Sequence, residues 1–132
     1  MSEPIHQDVL IKASPRRIYE ALTDAKQFSA FTNDSAEIDR VAGGAFACFG
    51  GRITGRNIEL VPGERIVQAW RAGHWPPGVY SIVRFELQGQ GEGQDGDTRL
   101  IFDQSGFPAD NRDHLESGWH KMYWEPLKAY LA

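Results

Sequence analysis

Apolar and polar residues alternate over short stretches along most of this chain, with the period of a strand that has one buried face. Near the start, Ile5, Val9 and Ile11 fall on one face of such a stretch, and His6 and Asp8 fall on the other. Clusters of glycine, proline and asparagine separate the stretches and predict turns. The predicted strands cover residues 5–13, 36–41, 45–49, 53–61, 65–71, 79–87 and 98–104. Three of the links between them are short enough for antiparallel hairpins.

Two short helices are predicted after the first strand. Ser14 is a suitable N-cap, and the residue after it is proline, which is favoured at the first helical position. Thr23 or Asp24 can cap a second short helix, in which Phe28 and Phe31 lie one turn apart.

The last part of the chain changes to helical spacing. Apolar residues recur there in one stripe, which predicts a helix of about twenty residues that begins at a cap on Asp110 or Asn111. Pro126 should bend this helix near its end, because proline removes one intrahelical hydrogen bond. The stripe consists of Leu115, Trp119, Met122, Tyr123, Pro126, Leu127 and Tyr130. We expect this stripe to bury against the strands.

The order of elements predicts the fold class. One strand, two short helices, six strands and one long helix indicate an α+β domain with a curved antiparallel sheet of about seven strands. The long helix alone has enough apolar surface to cover the apolar face of that sheet. The length of 132 residues, without a visible linker or repeat, predicts that residues 1–132 form a single domain.

Composition and charge narrow the functional classes. The 41% of apolar residues is typical of a globular chain, and the net charge of −4 disfavours nucleic acid as a partner. Membrane insertion is not expected, because no stretch approaches ~18 consecutive apolar residues. The first residues lack the basic and apolar pattern of a signal peptide, and a single cysteine fits a reducing compartment. We therefore expect a cytoplasmic protein.

Motifs for cofactors, metals and catalysis are weak. Residues 91–96 have the letters of a dinucleotide fingerprint, but they lie between two predicted strands and include acidic residues that repel phosphate. His114 and His120 share no helical face, and no further ligand stands at metal-binding spacing. Cys48 lies in a predicted strand among aromatic residues, which favours a buried core residue over a nucleophile. We predict no cofactor and no metal, and assign no catalytic residue.

Aromatic side chains are concentrated where the sheet should meet the long helix. They form either a filled core or the wall of an apolar pocket for a small molecule. Gln68 and Ser81 fall on inward positions of strands, where they could contact a ligand or a bound water. Gly118 either permits close packing against the sheet or leaves room for a ligand. The candidate ligand-binding residues are Phe28, Phe31, Phe46, Gln68, Trp70, Ser81, Val83, Phe85, Phe102, Trp119, Met122 and Tyr123.

Several motifs in this order resemble a known family. They are IKASP at 11–15 before IYEAL at 18–22, GGAF at 43–46, LVPGERIV at 60–67 with Trp70 after it, WP at 75–76 before VYSI at 79–82, GW at 118–119 and LKAYL at 127–131. The pattern is similar to the START-like, helix-grip (SRPBCC) superfamily. Within it, the pattern resembles the family of the activator of the 90-kDa heat-shock protein ATPase, above all the C-terminal domain of the eukaryotic co-chaperone.

The resemblance implies a helix-grip fold, in which a seven-stranded antiparallel sheet wraps around the C-terminal helix and two short helices close one end. It also implies a tunnel between sheet and helix, where members of the superfamily hold lipids, sterols or polyketides. We favour non-catalytic binding of a small hydrophobic ligand in that cavity. One alternative is a co-chaperone-like module that stimulates a chaperone ATPase of the 90-kDa heat-shock type in the stress response. Another is an enzyme of the polyketide cyclase or dehydratase kind, with Tyr123 as acid and Ser81 as orienting group.

Overall fold

Antiparallel strands form one seven-stranded sheet in the part of the chain that the computed structural model describes, residues 3–90 and 96–132. The strands are β1 (Ile5–Ile11), β2 (Ala36–Ile38), β3 (Ala45–Cys48), β4 (Ile53–Val61), β5 (Arg65–Ala72), β6 (Ser81–Gln90) and β7 (Asp97–Ser105). Their order across the sheet is β1-β7-β6-β5-β4-β3-β2, so the first and last strands of the chain are neighbours. The predicted α+β class and antiparallel sheet are confirmed.

The helices also follow the predicted order. They are α1 (Pro15–Thr23), α2 (Ala25–Thr32), α3 (Arg112–Gly118) and α4 (Glu125–Leu131), with a 3-10 turn at Ala109–Asn111 and a π-helical segment at Trp119–Trp124. The backbone remains helical from α3 through the π-helical segment to α4, and residues 112–131 are therefore called the C-terminal helix.

The two short helices begin at the side chains that the sequence indicates. The Ser14 hydroxyl accepts a hydrogen bond from the backbone N–H of Arg17 at 3.3 Å, and the Asp24 carboxylate accepts one from Gln27 at 3.1 Å. Helix α2 ends at Asn33, whose φ of 55° is left-handed, a conformation that asparagine tolerates better than most residues. Local capping chemistry therefore sets these ends.

Some strand ends differ from the prediction because turns begin earlier or end later. Strand β2 stops at Ile38, since the N–H of Val41 bonds back to the carbonyl of Asp39 in a tight turn. Strand β6 starts at Ser81 and not at 79, because the N–H of Val79 bonds to the carbonyl oxygen of Pro76. The last two strands extend further toward each other than the predicted ranges 79–87 and 98–104, with β6 reaching position 90 and β7 starting at 97. Of the fingerprint-like stretch, residues 91–95 lie outside the described part.

A π-helical segment precedes Pro126 in the C-terminal helix, and the bend near Pro126 stays a prediction. The N–H of Glu125 bonds to the carbonyl of His120, five residues back, so this turn contains more residues than an α-helical turn. Pro126 directly follows this wide turn, as the second residue of α4. The wide turn lies just before the proline, and the helix continues beyond it to Leu131.

This wide turn also decides which side chains face the sheet. Trp119, Tyr123 and Trp124 are all buried, whereas Met122 is 47% exposed. The prediction that Met122 is buried against the sheet is therefore wrong, because α-helical spacing from Trp119 no longer applies in the π-helical segment. Trp124 occupies the buried position instead.

Candidate functional site

A pocket of about 240 Å³ lies between the C-terminal helix and the sheet near β4 and β5. Its wall is mostly apolar, and polar side chains lie at its edge. The lining residues are Phe49, Arg52, Ile53, Trp70, Ala72, His74, Asn111, His114, Leu115, Gly118, Trp119, Met122 and Tyr123. An apolar concavity with a few polar groups is the usual form of a site for a small molecule.

Gly118 leaves part of this pocket open. A Cβ atom built on Gly118 would meet no heavy atom within 4 Å, outside its neighbours and its own helix. Close packing against the sheet therefore does not explain this glycine. Of the two interpretations that the sequence left open, the structure is consistent with room beside the helix.

The floor of the pocket consists of aromatic rings in mutual contact. Trp119 lies 5.2 Å from Trp70 and 4.2 Å from Tyr123 between ring centroids. The Trp70 indole N–H points to the Tyr123 hydroxyl oxygen at a long 3.5 Å. Such ring pairs add to the stability that burial of the rings provides.

Buried polar side chains hold Trp119 in place. Its indole N–H donates to Oε1 of Gln104 at 2.8 Å, and the Nε2 of Gln104 donates to the Ser81 hydroxyl at 3.0 Å. The Ser81 hydroxyl in turn donates to the carbonyl of Trp70 at 2.8 Å. Ser81 faces inward, as predicted, but it already donates and accepts within the protein. The structure therefore gives it a positioning role for Trp70 and Trp119.

A second and much smaller space lies deeper in the core. It measures about 10 Å³, enough for about one water molecule at most. Its lining residues are Leu22, Phe28, Ile38, Phe46, Cys48, Gln68, Phe85 and Tyr123. Gln68 is only half-buried there and donates to Asn57 Oδ1 at 3.1 Å. Tyr123 lines both spaces, which are separate and do not form the continuous tunnel that the resemblance implies.

The structure separates the twelve candidate ligand-binding residues into three groups. Those that line the pocket are Trp70, Trp119, Met122 and Tyr123. Those that line the small space, in addition to Tyr123, are Phe28, Phe46, Gln68 and Phe85. Those that line neither space are Phe31, Ser81, Val83 and Phe102. The binding roles of all twelve remain predictions.

Sequence analysis missed the polar edge of the pocket. Asn111 Oδ1 accepts hydrogen bonds from the indole of Trp75 at 2.9 Å and from Nε2 of His74 at 3.0 Å. The loop after β5 thereby meets the start of the C-terminal helix, close to His114 and Arg52. The polar edge consists of Arg52, His74, Asn111 and His114, which come from three separate segments of the chain. The one signal in the sequence is that polar residues occur in the loops before β4 and after β5, next to strands with aromatic residues.

The buried ionisable groups remain protonated near neutral pH. Burial raises the pKa of the Cys48 thiol to about 12, so the thiol is neither a ready nucleophile nor a metal ligand. Burial also raises the pKa of the Tyr123 hydroxyl well above its ordinary value. An acid with such a raised pKa transfers protons poorly at neutral pH, so Tyr123 is suited to hydrogen bonding.

The described residues contain neither a cluster of metal ligands nor a membrane-spanning helix. In residues 3–90 and 96–132, no three His, Cys, Asp or Glu side chains come together in a way that could hold a metal ion. None of the helices in the same residues combines the length and apolar character needed to cross a membrane.

The sequence is similar to curated proteins from several eukaryotes. The human protein "Activator of 90 kDa heat shock protein ATPase homolog 1" is 30% identical over 115 residues, which cover 87% of this chain and 33% of that protein. The Dictyostelium discoideum homologue is 32% identical over 117 residues, which cover 89% of this chain and 30% of that protein. This chain thus spans about a third of the length of these curated relatives.

Several solved structures share this fold. An HSP90 activator from Plasmodium falciparum has a TM-score of 0.89 at 24% identity, with 97% of this chain and 95% of that one covered. The Aha1 dimer from Colwellia psychrerythraea has a TM-score of 0.80 at 25% identity, with 98% and 96% covered. CalU16 from Micromonospora echinospora has a TM-score of 0.78 at 21% identity, with 98% and 76% covered.

The family model described as "Activator of Hsp90 ATPase homolog 1-like protein" matches residues 12–132. That range includes every strand and helix except the first strand. The helix-grip arrangement of the sheet and the C-terminal helix agrees with the match. The chain therefore belongs to the family of Activator of Hsp90 ATPase homolog 1-like proteins.

Proposed function

We propose that this domain binds a small apolar molecule, without catalysis, in the pocket between β4, β5 and the C-terminal helix. The observation that carries the proposal is the unfilled space beside Gly118, which faces the aromatic floor formed by Trp70, Trp119 and Tyr123. Water in such a space gains few hydrogen bonds from the wall. A ligand that replaces it gains about 0.8 kcal/mol for each buried methylene group, less the entropy lost on binding.

The size of the pocket limits the ligand. Its volume of about 240 Å³ exceeds the ~150 Å³ cavity that holds benzene and is smaller than the ~300–1,000 Å³ of drug-sized sites. We therefore expect a molecule with one aromatic ring or a short alkyl chain, and we do not expect a sterol.

The test uses a variant that fills the pocket. In Gly118→Leu, the side chain should occupy the open space while helix propensity improves. Ser117→Leu is the matched control, because Ser117 is an exposed neighbour on the same helix and lies outside the pocket. A panel of phenyl compounds and short alkyl alcohols would be titrated against all three proteins, with amide chemical shifts in nuclear magnetic resonance spectra as the readout.

We expect shifts around Trp70 and Trp119 in the unmodified chain and in Ser117→Leu. We expect them to be lost in Gly118→Leu. The proposal is wrong if the whole panel leaves these residues unshifted, or if Gly118→Leu binds as well as the control.

A second candidate function is stimulation of a chaperone ATPase. It is supported by the 30% identity to the human ATPase activator homologue, which covers most of this chain. The test is the ATP turnover of the 90-kDa chaperone from the same organism, with and without this protein. Unchanged turnover together with no binding at micromolar concentration would remove this candidate. A change in the stimulated ATP turnover with the Gly118→Leu variant would show that the pocket takes part in stimulation.

A further inference from the structure

The charges around the pocket differ from those of the chain as a whole. The chain carries a net charge of −4, yet no Asp or Glu lines the pocket. The polar residues of its edge are Arg52, His74, Asn111 and His114. The edge therefore presents a guanidinium, two imidazoles and an amide, all of which can donate hydrogen bonds.

Several of these donors are available to a ligand. Asn111 Oδ1 is occupied by His74 and Trp75, and within residues 3–90 and 96–132 its amide N–H groups meet no acceptor. Arg52 donates through Nε to the carbonyl of Phe49 at 2.8 Å and through one terminal nitrogen to Asp34 at 2.7 Å. The Arg52 side chain is 72% exposed, so its ion pair with Asp34 is weak and leaves capacity for a second anion.

We propose that the ligand is an apolar carboxylate, with its body on the aromatic floor and its carboxylate at Arg52 and Asn111. This inference rests on the proposed function, because it assigns a head group to the molecule expected in the same pocket. A carboxylate has only acceptor oxygens at neutral pH and matches an edge whose lining residues offer donors and include no acid, although Asp34 outside the lining already binds one terminal nitrogen of Arg52. Arg52 would be the specificity-determining residue, since its second terminal nitrogen, which bonds to nothing in residues 3–90 and 96–132, can donate a charge-assisted hydrogen bond to the ligand carboxylate.

The size of the expected effect follows from the exposure of Arg52. Ion pairs in water-accessible positions contribute about 0.2–1 kcal/mol, which corresponds to an affinity change of up to about fivefold. A hydrogen bond to Asn111 raises the expected preference for the acid to about tenfold. The preference should shrink as salt is added, because ions screen an exposed pair.

The experiment compares phenylpropionate with phenylpropanol, which share an apolar body and differ in the head group. Both are titrated at low salt into the unmodified chain, Arg52→Gln and Arg56→Gln. Arg56 is a matched control, since it is an exposed arginine that donates to a backbone carbonyl and lies outside the pocket. Dissociation constants come from calorimetry or from chemical shifts.

We expect phenylpropionate to bind about five- to tenfold more tightly than phenylpropanol. Arg52→Gln should remove most of that difference without changing the affinity for phenylpropanol, and Arg56→Gln should change neither. Equal binding of both probes, or a loss of acid binding in Arg56→Gln as large as in Arg52→Gln, overturns the carboxylate preference and leaves the proposed function intact. If neither probe binds, the inference fails, whereas the proposed function fails only if the whole panel of phenyl compounds and alkyl alcohols leaves Trp70 and Trp119 unshifted.

Discussion

The indole nitrogen of Trp124 donates to Oε1 of Gln7 at 2.6 Å, which joins the C-terminal helix to β1 across 117 positions of sequence. The other end of the Gln7 amide donates to the carbonyl of Glu116 at 2.9 Å. One side chain on the first strand thus satisfies two buried or partly buried polar groups of the helix. This contact holds the helix against the sheet at β1.

Gln7→Leu should therefore lower the free energy of unfolding by about 1–3 kcal/mol, because the Trp124 indole N–H is left buried without an acceptor. Chemical denaturation measures the change. Gln88→Leu, at an exposed position of β6, is the control and should change stability by less than about 0.5 kcal/mol. Equal effects of the two substitutions would contradict the role of Gln7.

Gly118→Ala should raise the free energy of unfolding by about 0.5–1 kcal/mol, because alanine is the better helix former and its Cβ meets nothing within 4 Å. Gly55→Ala is the contrasting variant, since its Cβ would fall 1.9 Å from the carbonyl oxygen of Ala69. In thermal unfolding, Gly118→Ala should have a higher midpoint temperature than the unmodified chain, and Gly55→Ala a lower one. A destabilised Gly118→Ala would mean that the space beside the helix is not open.

Tyr123→Leu should connect the pocket with the small space behind it, because Tyr123 lines both. We expect a loss of about 2–4 kcal/mol in the free energy of unfolding and a shift of ligand preference toward longer alkyl chains. Tyr123→Phe keeps the ring, so it should leave chain-length preference unchanged. Titration of alkyl alcohols of increasing length measures the preference, and a preference that Tyr123→Leu leaves unaltered would count against division of the cavity by this ring.

Stability should fall as pH rises above about 9, partly because of Cys48. The pKa of its thiol is about 12 in the folded chain against 9.0 as the ordinary value, so the unfolded state loses its proton first. Each pH unit between these two values lowers the free energy of unfolding by up to about 1.4 kcal/mol, since the unfolded state binds fewer protons there. Denaturant unfolding of Cys48→Ala at pH 8 and pH 10 should give a shallower decline. Identical slopes would indicate that the folded thiol ionises freely.

The order of elements follows from the sequence alone because it depends on near neighbours in the chain. Alternation of apolar residues defines the strands, and Ser14 and Asp24 begin the short helices through bonds to N–H groups three residues ahead. The motifs from residue 11 onward indicate the family, and the family match to residues 12–132 confirms it. The aromatic floor of the pocket could also be predicted from the sequence, since Trp70, Trp119 and Tyr123 fall on inward faces of their elements.

The tertiary structure alone decided what depends on distant residues. The wide turn ahead of Pro126 exposes Met122 and buries Trp124. A prediction that assumes α-helical spacing cannot give this result. Ser81 finds its partners on β5 and β7, and His74 meets Asn111 across 37 positions of the chain. Periodicity and capping are local properties of a chain. An unfilled space and the polar groups at its edge arise only where separate elements pack, and no local pattern encodes how well they fit.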